Sequence, residues 1–316
     1  MKCRVVDRDG AGQPPLDRAT LERLLATGPF WLDLHRPGSD DLALLGDVFG
    51  FHPLALEDSA HFGQRPKLED YDAFVFLVLY GHVRDEDLLV EVHLYVTDGF
   101  LVTIHVDESP ALDALHAAAL RLPTESPVQM AHRVADALVD SFFPAFGEFE
   151  DRLELIEDAL IHAPKDEHLR DLFTMRRRLS GLRRVIGPQR DLMGRLAAGT
   201  ASLPGMTPEH ERYFRDVYDH LLRVSELLEA TRDVLTSAVD VYLSASSNRA
   251  NAVMKQLAVI ATIFLPLTFV TGFLGQTFSW LVDNVGSWQA FVLLGVGSQL
   301  VAIAILFAYF RRRGWF

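Results

Sequence analysis

Leu257 to Leu274 reads LAVIATIFLPLTFVTGFL, and Trp288 to Phe310 reads WQAFVLLGVGSQLVAIAILFAYF; neither stretch holds a charged residue. A helix needs about 20 mostly apolar residues to cross the hydrocarbon core of a bilayer, so each run is long enough to span. The connecting segment, Gly275 to Ser287, has no Lys or Arg and a single acid, Asp283. Arg249 and Lys255 precede or open the first run, and Arg311, Arg312 and Arg313 follow the second. Basic flanks stay on the cytosolic side, which places both termini in the cytosol of an inner or cell membrane and the loop outside. Trp280, Trp288 and Trp315 fall near the expected interfaces. Met1 to Gly10 has no apolar run of a secretory signal, so insertion is expected to rest on the two late segments.

Working back from the first span, neither Gly nor Pro occurs between Pro208 and Pro266. An unbroken helix there extends about 85 Å. Phe214, Val217, Leu221, Val224, Leu228, Thr231, Leu235, Ala238, Tyr242 and Ala245 recur at alternating steps of three and four, a seam for packing on other helices. The same helix is expected to run into the membrane, with Pro266 removing one hydrogen bond from its ladder. Two spans cannot enclose an aqueous pore, so a transporter built from them needs several copies around one axis. Asn251, Met254, Ala258, Ala261, Leu265, Thr268 and Gly272 fall on one stripe of the first span, polar or small at several positions. The second span is more uniformly apolar and suits a lipid-facing ring.

Farther upstream the pattern changes period. Phe30 to Leu34 alternates like a strand, Ala73 to Tyr80 is a continuous apolar run, and Leu94 to Val96 and Phe100 to Ile104 flank the turn signal Asp98-Gly99. From Pro127 the pattern is helical: Val128 to Ile161, then Asp166 to Leu196, with breaks at Ala163-Pro164 and Gly199 to Pro208. The expected fold is an α+β membrane protein with an α/β cytosolic domain over 1–126. A helical region with the stalk helix covers 127–250. A membrane hairpin covers 251–316, with spans near 252–275 and 288–310.

The net charge of −13 argues against nucleic acid, whose phosphates call for a basic surface. Cys3 is the only cysteine, which excludes an internal disulfide. No nucleotide-binding, serine-hydrolase or zinc-protease motif occurs, so no enzyme activity is expected. The 12 histidines form no zinc spacing; His82, His93 and His105 share the strand region and are read as ordinary surface or half-buried residues. The acids are more suggestive. Glu57-Asp58 ends a short helical stretch, Asp136 and Asp140 lie one turn apart, and so do Asp216 and Asp219. Magnesium takes carboxylate oxygens and keeps several waters, so one or two carboxylates per site suffice.

HPLALED at His52 to Asp58, QRPK at Gln64 to Lys67, DALVD at Asp136 to Asp140, YFRDVYDH at Tyr213 to His220, and NAVMKQLAVIATIFLPLTFVTGF at Asn251 to Phe273 resemble the CorA family of magnesium and divalent-cation channels. The resemblance covers almost the whole chain. It implies a funnel-shaped homopentamer in the lipid bilayer, with the first spans lining the pore and no cofactor beyond a regulatory divalent cation, magnesium. It implies regulatory sites between protomers: Asp58 with a neighbour's Asp216 as the principal pair, and Glu57 and Asp136 at a nearby site. Pore-facing positions map to Asn251, Met254, Leu257, Leu265, Thr268 and Gly272. The family's outer mouth carries Gly-Met-Asn, whereas this chain has Gly275-Gln276-Thr277, with Asp283 in the outer loop. Magnesium uptake driven by the membrane potential is the leading expectation. Transport of zinc, cobalt or nickel, coupled to protons, is the second, and a non-conducting membrane-anchored sensor the third.

Overall fold

The computed structural model describes residues 1–8, 10–83, 88–119, 126–162, 165–276, 279, 283 and 286–312. Packing groups the chain into two compact units, Met1–Asp240 and Val241–Phe316.

The first unit is built on a seven-stranded sheet. Its strands are β1 (Lys2–Asp7), β2 (Gly10–Gly12), β3 (Phe30–His35), β4 (Lys67–Asp70), β5 (Val75–Val83), β6 (Leu88–Val96) and β7 (Phe100–His105). They are ordered β2-β1-β3-β7-β6-β5-β4. The β3–β7 pair is parallel and the other described pairs are antiparallel. The strands expected at Phe30, Ala73, Leu94 and Phe100 are all present, and the hairpin closes across Asp98-Gly99 with Val96 opposite Leu101. The short strands β1, β2 and β4 carry too few alternating apolar residues to announce themselves.

Helices cover both faces of this sheet. On one side lie α1 (Arg18–Thr27), α2 (Ser39–Phe49) and α3 (Pro53–Ala60). Phe49 meets Phe30 and Phe100, and Phe51 stacks on Tyr95 at 4.2 Å. On the other side lie α4 (Pro110–Ala119) and α5 (Pro127–Asp140), where His116 stacks on Trp31 at 4.0 Å. A Cβ at Gly81 would sit 2.8 Å from Leu138 Cδ2, so the bare glycine of β5 is what lets α5 approach so closely.

Under α4 the sheet buries a charge. Asp33 is fully enclosed and accepts hydrogen bonds from Arg4 Nε at 3.0 Å, Arg4 at a terminal nitrogen at 2.8 Å and Thr103 Oγ1 at 2.6 Å. His116 Nε2 lies 3.0 Å and His105 Nε2 3.4 Å from the same carboxylate. Burial by itself would raise the Asp33 pKa, but hydrogen bonds and charge from His105 and His116 outweigh it and hold the group well below the usual carboxylate range. The expectation of ordinary surface or half-buried histidines is corrected here: His82, His93 and His105 are all buried. His105 belongs to the Asp33 cluster and His93 to a separate one around Glu91, because polar side chains enclosed by a sheet and its helices must find partners.

The helical region from Val128 to Ile161 is two helices, α5 and α6 (Phe143–His162), rather than one. Pro144 cannot donate to the Asp140 carbonyl, and Ser141 fills the break, with its hydroxyl donating to Leu138 O and accepting from His82 N. The break expected at Ala163-Pro164 lies outside the described residues. Helix α7 (Asp166–Ala197) follows. Its buried Gln189 closes the sheet edge where β4 stops pairing: Oε1 accepts from Tyr80 N at 2.7 Å and Nε2 donates to Tyr80 O at 3.1 Å.

Helix α8 runs unbroken over Pro208–Leu274, with Pro266 inside it. The seam from Phe214 through Ala238 is buried, as its spacing predicts, and Ala245 is half-buried. Beyond it, the apolar window of the first span is 0% buried and that of the second, Trp288–Arg312, is 6% buried. Leu257, Leu265 and Phe269 are each more than 60% exposed. Such surfaces suit lipid or other copies of the chain and not water. The second span contains a π-helical turn over Phe291–Gly297.

Candidate metal centre

Helix α5 begins with Ser126, whose hydroxyl accepts from Gln129 N while the Gln129 side chain accepts from Ser126 N, a reciprocal cap that fixes the helix start. Val128, Ala131, Val134, Ala135, Leu138 and Val139 face the core. That leaves His132, Asp136 and Asp140, spaced by four, on one stripe turned to α8. On α8, burial of Phe214, Val217 and Leu221 presents Asp216 and His220, again four apart.

The two stripes meet. Asp136, Asp216 and His220 offer one ligand atom each, all within 4.8 Å of one another. His220 Nδ1 lies 3.5 Å from Asp136 Oδ1 and 3.1 Å from Asp140 Oδ1. His132 packs against the rings of Tyr213 and Phe214. Burial and the neighbouring Asp140 charge raise the Asp136 pKa, opposed by His132 and His220 and helped by Asp216. Burial lowers that of His132. Asp136 Oδ1, His132 Nε2 and His220 Nδ1 are enclosed without completing a hydrogen bond. A carboxylate pushed toward neutrality by burial and a like charge, beside lone imidazole nitrogens, is relieved by a divalent cation. Two carboxylates with one imidazole fit magnesium through the oxygens, and zinc or cobalt through the nitrogen as well.

The second predicted site is arranged differently. In α3, His52 caps the helix by accepting from Leu54 N. Asp58 is engaged by Lys67 Nζ at 2.6 Å, and Lys67 also reaches Glu69 at 2.8 Å. Burial would lower the Lys67 pKa, but these bonds win and raise it. Glu57 is exposed, and its backbone carbonyl pairs with His61 Nδ1. Ser59 anchors α3 to the sheet through His93 Nδ1 at 2.9 Å and Tyr95 OH at 2.7 Å, and His93 Nε2 rests on Glu91 at 2.8 Å. Any cation bound by Asp58 must compete with Lys67.

Within one chain the fold therefore brings Asp136 and Asp216 together and gives Asp58 to Lys67. His220, His132 and Lys67 are the residues that sequence reasoning passed over as site members. His220 stands four after Asp216, a visible spacing, but its approach to Asp136 crosses between helices and has no signature in either. Asn251, Met254, Leu257, Leu265, Thr268 and Gly272 are all on the described part of α8, and Asn251, Met254, Leu257 and Leu265 are exposed. Thr268 Oγ1 donates back to Phe264 O at 2.8 Å. Gly275 N closes the last turn on Thr271 O, and a Cβ there would lie 3.1 Å from that oxygen. Gln276 and Asp283 are exposed, while Thr277, Trp280, Arg313 and Trp315 lie outside the described residues.

A family profile described as "CorA-like Mg2+ transporter protein" matches residues 27–312. The putative metal ion transporter YfjQ of Bacillus subtilis is 36% identical over 292 residues, covering 91% of this chain and 90% of its own. The cobalt/magnesium transport protein CorA of Thermotoga maritima is 31% identical over 298 residues, covering 91% and 83% respectively. The solved structure of the CorA magnesium transporter from Methanocaldococcus jannaschii shares the fold, with a TM-score of 0.87 over 100% of this chain and 99% of that one at 24% identity.

Proposed function

Because the chain belongs to the CorA-like Mg2+ transporter family, a family of membrane divalent-cation transporters, we propose that it takes up magnesium as a homopentamer gated by cytosolic magnesium. The observation that carries the gating is the Asp136, Asp216 and His220 cluster, because Asp216 and His220 stand on the same helix that continues to Leu274. A cation that pulls α8 toward α5 acts directly on a rod that enters the membrane.

In this reading five first spans surround the axis, with both termini in the cytosol and the assembly shaped as a funnel. Asn251, Thr268 and Gly272 give the path its polar or small lining. Met254, Leu257 and Leu265 form an apolar collar that blocks ions when dry and passes them when widened and wetted. At high cytosolic magnesium the ion sits on Asp136 and Asp216, and the neighbouring protomer's Glu57 and Asp58 complete the bridge after Lys67 is displaced. When magnesium falls, Lys67 recaptures Asp58, the unscreened acids repel, and the stalk helices shift. At the outer mouth Gln276, Thr277 and Asp283 attract the hydrated ion beside Gly275. An inside-negative potential supplies about 2.3 kcal/mol per charge per 100 mV, so transport needs no nucleotide hydrolysis. The regulatory cation is itself magnesium.

The test uses the full chain with a second variant, Asp58→Asn/Asp216→Asn. Wild type should gain protection from limited proteolysis as magnesium rises, and the double variant should need at least tenfold more magnesium for the same protection. Its flux in liposomes should also resist internal magnesium. Unchanged protection would remove both acids from gating. The imidazole of His220 favours a second reading, with zinc, cobalt or nickel as cargo. Flux of each ion under an imposed pH gradient separates the two, since only the second predicts zinc movement that follows the proton gradient.

A further inference from the structure

Outside the metal centre, the first unit carries a basic groove on an acidic protein. Helix α7 has eight arginines against four carboxylates, on a chain of net charge −13. Near its C-terminal half a cavity of about 430 Å³ is lined by Arg65, Ser180, Arg183, Arg184 and Pro188. Arg65 and Arg184 are exposed and have no hydrogen-bond or ion-pair partner among the described residues. Arg183 reaches Glu229 at only 3.5 Å, and Glu229 already holds Arg232 at 3.0 Å.

Both walls of the groove are fixed in place. The loop before Arg65 is pinned where Gln64 N donates to Glu91 at 3.0 Å and Gln64 O accepts from Tyr80 OH at 2.6 Å. Pro66, on its other side, is buried. The opposite wall is anchored one residue beyond Pro188, where Gln189 grips the Tyr80 backbone. Both walls thus hang from the same strand, and ligand binding need order only the guanidinium ends. The Ser180 hydroxyl donates to Arg176 O at 2.8 Å, so the side-chain donors left among the lining residues are the guanidinium groups.

We infer that this groove binds an anion with linked phosphate groups. Planar guanidinium forks match phosphate oxygens in pairs, and two unpaired cations with a third loosely held suit a di- or triphosphate rather than a lone carboxylate. The volume also exceeds what a single phosphate fills. The inference stands on the groove and is independent of which ion crosses the membrane.

The experiment is calorimetric titration of the full chain in detergent with sodium triphosphate, and separately with orthophosphate, in metal-free buffer. Triphosphate should bind saturably, at least tenfold tighter than orthophosphate. Arg65→Gln/Arg184→Gln should weaken it at least tenfold, whereas Arg170→Gln, also on α7 but about 20 Å away along the helix, should leave it unchanged. Repeating the titration in nanodiscs of phosphatidylcholine and of phosphatidylglycerol identifies the source. Loss of triphosphate binding in phosphatidylglycerol alone assigns the groove to a lipid headgroup, and binding in both assigns it to a soluble phosphate. Absence of saturable binding by the wild type in detergent, or an equal loss in Arg170→Gln, overturns the site.

Discussion

Asp33 and Asp136 belong to the same compact unit, the first fully buried and the second half-buried, and their surroundings push them in opposite directions. Asp33 meets only donors: Arg4, Thr103, His105 and His116. Its negative charge is held firmly. Asp136 meets another acid, Asp140, and imidazoles that complete no bond to it, so its charge is resisted. A carboxylate that is already satisfied serves the fold; one left unsatisfied beside a second acid is available to a ligand. The difference separates a structural ion cluster from a candidate metal centre without reference to any relative.

The contrast can be broken most forcefully at Asp33. Asp33→Asn removes the charge and turns an amide N–H toward donors, which should cost about 3–5 kcal/mol of stability, as for one partner lost from a buried pair. Chemical denaturation of the full chain in detergent measures it, and a loss below about 1 kcal/mol would mean that Arg4 and the histidines find other partners.

Asp136→Asn should behave in the reverse sense. Without metal it relieves repulsion and leaves the melting temperature unchanged or slightly raised. With magnesium at a hundred times its dissociation constant, the wild type should gain about 2.7 kcal/mol that the variant lacks. An undiminished magnesium shift in the variant would erase the distinction between the two acids.

The smallest effect is on pH dependence. The depressed Asp33 pKa gives stability that is present above the unfolded value of about 3.9 and disappears as pH falls through the folded one. For His105, burial lowers the pKa but the hydrogen bond and charge of Asp33 raise it further. Its contribution is therefore complete below about 6.5 and disappears as pH rises through the folded value. Stability should decline on the alkaline side with a slope no steeper than about 1.4 kcal/mol per pH unit for one proton. His105→Gln should flatten that slope and, because His105 is one of the groups holding Asp33 low, shift the acid limb toward higher pH.

Much of the architecture could be read before any coordinates. The two spans, the uninterrupted α8 and its seam follow from composition and a period near 3.6, signals that are local and repeated many times. The central strands are legible for the same reason. The split at Ser141 was not, because Pro144 is also acceptable in the first turn of a helix, and only packing against β5 decides that a new helix begins there. At the metal centre the acids Asp136 and Asp216 stand out in sequence, but their partnership does not. The intimate pairing of Asp58 with Lys67 joins two separate stretches that stand out in sequence, but neither encodes it, since the reach of a lysine depends on how a loop returns to the sheet.

The chain's order of residues alone determined that it enters a membrane twice, that a long helix leads there, and that an acidic α/β region precedes it. Those properties are sums over neighbouring residues, and neighbours in sequence stay neighbours in space. Tertiary structure alone decided which acids are satisfied and which are left facing one another, because that depends on side chains from α5 and α8 or from β1, β3, β7 and α4 meeting across distances no local pattern encodes.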